Sequence, residues 1–244
     1  MSTDKNIGFR RNIYLAWMDA AAAFSADSDD PKLLRERLDP VVGEKIKGSE
    51  SRRMALDVLV NIWAKSAETH PTIRNEAVRL FGSSAQVSDR LWLHYGMTLL
   101  AYDFFRRGVI AIGQLSRYQD GITAKEIKQR LTAEMGQLGS IKEAADRIMF
   151  SLRDWGILVD TDQRFVYRAQ RQQFTASTTA LEAWLLAAVL TAHPAEELPF
   201  SDLLRLPELF SFRFSLTVDD LRRAPGFEVH RQGLGWDMVS LVQV

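Results

Sequence analysis

Between Thr123 and Tyr167 the chain alternates helix starts, glycine stops and β-rich triplets so regularly that few architectures accommodate it. Thr123-Ala-Lys-Glu126 and Ser140-Ile-Lys-Glu143 both have the form of a capping box, in which the hydroxyl accepts from an early backbone N–H and the glutamate reaches back to the cap. The spacing predicts one amphipathic helix with Ile127 and Leu131 inward, stopping near Gly136. It predicts a second from Ile141 to Asp154, with Ile141, Ala145, Ile148, Leu152 and Trp155 on one face and a stop at Gly156. Ile157-Leu158-Val159 and Phe165-Val166-Tyr167 then flank the polar turn from Asp160 to Arg164, a hairpin pattern.

Upstream, apolar residues recur at helical spacing and predict helices over 8–25, 31–38, 51–68, 71–81 and 87–105, with breaks at Pro31, Pro40, Gly43, Gly48, Pro71 and Gly82. Leu91, Trp92, Tyr95, Leu99 and Tyr102 form one stripe of the last of these. Short connections make antiparallel neighbours and hence a bundle. Downstream, Thr179-Ala-Leu-Glu182 caps a helix to about Ala192, and Thr217-Val-Asp-Asp220 caps a short one to Arg223. Phe227 to Arg231 and Trp236 to Val242 read as a hairpin. The expected architecture is mainly α: a helical bundle over 1–103, a helix–hairpin domain over 104–175, and a small α+β unit over 176–244 that loosely repeats the second.

The 46% apolar and 25% charged content is that of a globular chain rather than a disordered one. With no cysteine, there is no disulfide framework, thiolate zinc site, iron–sulfur cluster or cysteine nucleophile, which suits a reducing, cytoplasmic location. The 31 basic and 31 acidic side chains cancel, so attraction to an anionic partner has to be local. Residues 101–175 carry 12 basic against 9 acidic side chains and residues 176–244 carry 5 against 9. The apolar run Ile13 to Phe24 is interrupted by Asp19. The run Ala183 to Ala192 is about half of the ~20 residues a membrane span requires, so it reads as a buried helix and no membrane partner is expected.

The order helix, turn, helix, short turn, helix, strand, turn, strand over about 104–171, with the phrase from Ser140 to Leu158, resembles the winged helix-turn-helix superfamily. The later helix–hairpin pattern would then be a second winged helix. A small helical domain ahead of a winged helix also resembles in outline the BrxA accessory proteins of BREX phage-defence systems. The resemblance implies double-stranded DNA as partner, with the helix from Ile141 in the major groove and the hairpin around Asp160 to Arg164 on the backbone or minor groove. At about 100° per residue, Lys142, Asp146 and Arg153 fall on one flank of that helix and Arg147 on the other, with Glu143 and Phe150 outward. Lys125, Lys128 and Arg130 lie on the preceding helix, and Arg164, Arg168 and Arg171 along the outgoing strand. Lys125, Lys128, Lys142, Arg147, Arg153, Arg164, Arg168 and Arg171 are therefore the expected DNA-binding residues. Glu143, Asp146 and Asp154 oppose phosphate and keep a protein-docking role open, in a homodimer or a larger assembly of the SMC or defence type, with Phe150, Phe210, Phe212 and Phe214 as contacts.

Other chemistry finds little footing. His70, His94, His193 and His230 are scattered without metal-ligand spacing, His94 reading as a structural helix histidine and His230 as a solvent-facing strand residue. Gly136-Gln-Leu-Gly139 reads as a turn rather than a phosphate loop, and no nucleophile elbow is present. Trp17, Trp63, Trp92, Trp155 and Trp184 read as core. The expectation is a non-enzymatic DNA-binding protein without metal or cofactor, acting in transcription or in phage defence. A hydrolase would need a metal site that the carboxylate spacing does not provide.

Overall fold

The computed structural model describes residues 8–83, 86–136, 140–233 and 235–242. The chain is mainly helical with three small sheets. Seven helices come first: α1 (Leu15–Asp27), α2 (Pro31–Lys45), α3 (Ser49–Trp63), α4 (Ser66–Thr69), α5 (Pro71–Ser83), α6 (Val87–Ala101) and α7 (Asp103–Leu115). The start of α2 follows from its sequence, since Pro31 sits at the first turn and the Asp30 carboxylate accepts from the Lys32 N–H at 2.8 Å.

Three predicted boundaries are corrected. Pro40 and Gly43 do not break α2, which continues to Lys45. Gly43 marks a close approach instead, because a Cβ there would lie 2.7 Å from the Arg52 guanidinium of α3. The helix predicted over 8–25 begins only at Leu15, because the backbone of Ile13 and Leu15 is bonded to side chains of a distant helix. The helix predicted over 87–105 is divided at Tyr102, whose backbone is extended (φ −139°) and whose buried hydroxyl accepts from the Asn61 amide at 3.0 Å.

After α7 come β1 (Ile122–Thr123), α8 (Ala124–Met135), α9 (Ile141–Asp154), β2 (Leu158–Asp160) and β3 (Val166–Ala169), the strands forming an antiparallel sheet in the order β1-β3-β2. Both arms of the Thr123–Glu126 capping box are made, at 3.3 and 2.8 Å. The box expected at Ser140 is not: Ser140 is already helical (φ −82°, ψ −10°), so its hydroxyl is not presented to the free N–H groups of the first turn and caps nothing. The turn expected at Gly136-Gln-Leu-Gly139 lies largely outside the described residues. Gly156, at φ +75°, ends α9 as its sequence requires.

The remaining elements are β4 (Phe174–Thr175), α10 (Thr179–Ala192), β5 (Glu197–Pro199), α11 (Phe200–Leu203), a 3₁₀ turn (Pro207–Leu209), β6 (Phe212–Arg213), α12 (Val218–Arg223), β7 (Phe227–Gln232) and β8 (Trp236–Leu241). Strands β5, β8 and β7 form an antiparallel sheet in that order, and β4 pairs in parallel with β6. Apart from the inserted 3₁₀ turn and β6, the succession α10-β5-α11-α12-β7-β8 repeats α7-β1-α8-α9-β2-β3, and its sheet repeats the same order. The predicted cap of α10 is shifted by one residue: Thr178 accepts from the Leu181 N–H, and Glu182 turns into the core, where it accepts from the N–H groups of Ser215 and Leu216, both at 2.8 Å. Apolar on every side, α10 is buried against α6.

One continuous apolar cluster runs from Phe9 to Val239 through all three segments. The expected tryptophans Trp17, Trp63, Trp92, Trp155 and Trp184 all lie in it. Phe210 and Phe212 are buried within the chain and not open to a partner, and Phe214 is half-buried, packed edge-on to Trp92.

Candidate nucleic-acid interface

Helix α9 carries three of the eight expected contacts, Lys142, Arg147 and Arg153. Ile141, Ala145, Ile148 and Leu152 are buried, which turns Lys142, Glu143, Asp146 and Arg153 to solvent. The opposite flank is not free. The segment before α1 crosses it: the Ile13 N–H donates to Ser151 Oγ at 3.0 Å, Trp155 Nε1 donates to the Ile13 carbonyl at 3.0 Å, and the Leu15 N–H donates to Asp154 at 2.6 Å. Arg147 donates to Asn12 at 3.2 Å, and Tyr14 packs edge-on to Phe150 with ring centroids 5.2 Å apart. Two expectations are corrected by this crossing. Phe150 is half-buried against Tyr14 rather than facing outward, and Arg147, on its own flank, is tied to the N-terminal segment rather than standing free.

The eight expected cations fall into two groups. Lys128 pairs with Asp146 at 2.7 Å, Arg153 pairs with Asp160 at 2.8 Å while lying over the Tyr167 ring, and Arg171 donates to Ser116 Oγ at 2.8 Å. With Arg147, these four are engaged inside the chain. Lys125, Lys142, Arg164 and Arg168 are exposed, and among the described residues no carboxylate lies within ion-pair distance of them. Arg168, on β3, also lines a polar cleft of about 320 Å³ with Ser116, Gln119, Asp120 and Arg171. Arg130 donates to Gln114 at 3.2 Å. Beneath Lys125 the cap of α8 is held firmly: the amide of Gln119 and then the groups of Thr123 bond the Glu126 carboxylate, which lies below its ordinary pKa.

The titratable groups elsewhere have structural partners. His94 is fully buried, 2.9 Å from Asp19 and edge-on to Trp63, and burial lowers its pKa while Asp19 pulls it the other way. His230 is half exposed and lies 3.4 Å from Glu197 across β5 and β7. Buried Asp89 accepts from the Ser177 N–H at 3.0 Å. Among the described residues no three His, Asp or Glu side chains gather as a metal site, and no helix is long and apolar enough to cross a membrane.

Two features escape the sequence reading. The crossing of α9 by residues 12–15 joins positions separated by about 140 residues, and no local pattern encodes it. Phe165, assigned to a strand, stands in the hairpin turn and is mainly exposed; the signal for it was its place directly after the polar run Asp160 to Arg164. Trp236 does open strand β8, as its sequence predicts, and is mainly exposed there. Comparison with protein-family models, with curated proteins and with solved structures finds no match.

Proposed function

We propose that this chain is a non-enzymatic, cytoplasmic DNA-binding protein in which residues 104–175 act as a winged helix. The element order α7-β1-α8-α9-β2-β3 supports the reading, and so does the sheet order β1-β3-β2, in which the strand between the first two helices pairs with the second arm of the hairpin, β3. The repeat of that order from α10 to β8 supports a second, diverged winged helix, with six-residue α12 in the place of α9. The observation that carries the function is the group of exposed cations without acidic partners among the described residues, Lys125, Lys142, Arg164 and Arg168, on α8, α9 and the hairpin. Phosphate supplies such groups with the anions the chain does not. A role as a transcription regulator or as a DNA-binding accessory factor in phage defence follows from this reading together with the resemblance in outline.

Glu143 and Asp146 beside Lys142 favour a second reading, docking onto a protein partner. The two separate on charge removal. Under the DNA reading Lys142→Ala and Arg168→Ala each weaken binding to every duplex sequence and flatten the salt slope by about 0.9. Affinity unchanged in both variants, as measured by fluorescence anisotropy, would move this face to the docking class.

A further inference from the structure

Among the described residues five large apolar side chains are exposed: Val87, Tyr118, Phe165, Trp236 and Val242. Two of the five stand at the turn ends of the hairpins in the repeated units, Phe165 inside its turn and Trp236 as the first ladder residue, opposite Gln232. Phe165 directly precedes β3 at the tip of the first hairpin, and Trp236 opens β8 at the tip of the second.

Phe165 is 64% exposed with its backbone at φ +65°, a left-handed conformation that a bulky L residue enters only at a cost in free energy. Burial of the ring does not offset that cost. The conformation is imposed by the turn: the Thr161 N–H donates to the Val166 carbonyl at 3.2 Å, the Val166 N–H to the Gln163 carbonyl at 3.1 Å, and Thr161 Oγ1 to the Val166 carbonyl at 2.9 Å. A strained residue held by a bonded turn persists because its surroundings over-determine it, and such positions cluster at sites of function. The ring is therefore held outward on a stiff tip. Arg164 lies over one face, its guanidinium carbon 4.6 Å from the ring centroid, and the other face has no ring or cation against it among the described residues. Of the acids on this turn, Asp160 is paired with Arg153, and Asp162 has no cation within ion-pair distance among the described residues.

We propose that Phe165, and Trp236 in the second unit, are wedges that stack into a base step of duplex DNA and open it, with Arg164 beside the adjoining phosphate. This rests on the DNA-binding reading above. Apolar side chains inserted between base pairs unstack and kink the duplex, and pyrimidine–purine steps yield most easily. A single ring beside an arginine suits that insertion better than it suits a protein interface, which gathers apolar side chains into one packed core.

The test uses the full chain and a duplex of alternating TA steps carrying 2-aminopurine in place of one adenine, whose fluorescence rises on unstacking. Binding is followed in parallel by anisotropy of a labelled end. Wild type is expected to bind and to raise the 2-aminopurine emission about twofold or more. Phe165→Asn, chosen because asparagine tolerates the left-handed backbone and so keeps the fold, is expected to bind within about tenfold of wild type with the rise at least halved. Phe165→Asn combined with Trp236→Ala is expected to abolish it, and Phe165→Leu to restore part. Binding by wild type without an emission rise would overturn the wedge and leave the DNA reading standing. The same would follow from an undiminished rise in the double variant. Absence of binding at low salt would overturn both.

Discussion

Replacing Ser151 by alanine tests whether the segment before α1 is seated on α9. Ser151 is fully buried in the last turn of α9, and its Oγ accepts the N–H of Ile13, itself without exposure, at 3.0 Å. Removal of the oxygen leaves that N–H desolvated and unpaired, which costs about 1–3 kcal/mol, while almost no volume is lost. Alanine is the better helix former and returns roughly 0.5 kcal/mol. The net expectation is a loss of about 0.5–2.5 kcal/mol, or ~1–10 °C in Tm for a chain of this size. The Ile13 peptide is held on its other side by Trp155 Nε1 at 3.0 Å, so Ser151→Ala and Trp155→Phe share one anchor. Their combined loss should therefore fall short of the sum. Urea denaturation of the full chain, followed by tryptophan fluorescence, measures all three variants. A Ser151→Ala protein as stable as wild type, or losses that add fully, would refute the crossing geometry.

At Gly113, on the face of α7 against the 3₁₀ turn, a Cβ would lie 2.0 Å from the Pro207 carbonyl oxygen, a backbone atom that cannot swing aside; Gly113→Ala should cost at least about 1–3 kcal/mol by chemical denaturation. Thr123→Ala removes a working capping box and should cost about 1 kcal/mol, whereas Ser140→Ala removes a hydroxyl that caps nothing and should leave the midpoint unchanged. Burial holds the His94 imidazole below its usual 6.5, so its neutral form belongs to the folded state and unfolding takes up a proton as the pH falls through that value. Stability should therefore decline on acidification from about pH 7 to 5, and His94→Gln should flatten that decline in thermal melts taken across the range.

The legible parts of this chain are those written in local chemistry. Thr123, Thr217, Gly156 and the apolar stripe of α9 each act within one or two turns, and the structure follows them closely. The helix predicted from Ile141 to Asp154 has those bounds. Legibility ends where a long-range contact overrides a local preference. Ser140 has the sequence of a cap but a helical backbone, and Glu182 has the spacing of a cap partner yet is drawn inward by Ser215 and Leu216. Pro40 and Gly43 look like breaks and sit inside α2, since packing on α3 outweighs the loss of one backbone bond. The candidate interface shows the same division. The spacing placed eight cations near one surface, and the tertiary fold decides that Asp146, Asp160, Asn12 and Ser116 engage four of them, Asp160 from seven residues away and Asn12 from 135.

The most direct test of the DNA reading is anisotropy of wild-type protein on labelled random duplex, titrated from about 50 to 200 mM salt. If Lys125, Lys142, Arg164 and Arg168 each neutralise one phosphate, the logarithm of affinity falls against the logarithm of salt with a slope near −3.6, a loss of about 150-fold over that range. Binding that is absent at low salt, or indifferent to salt, would contradict it.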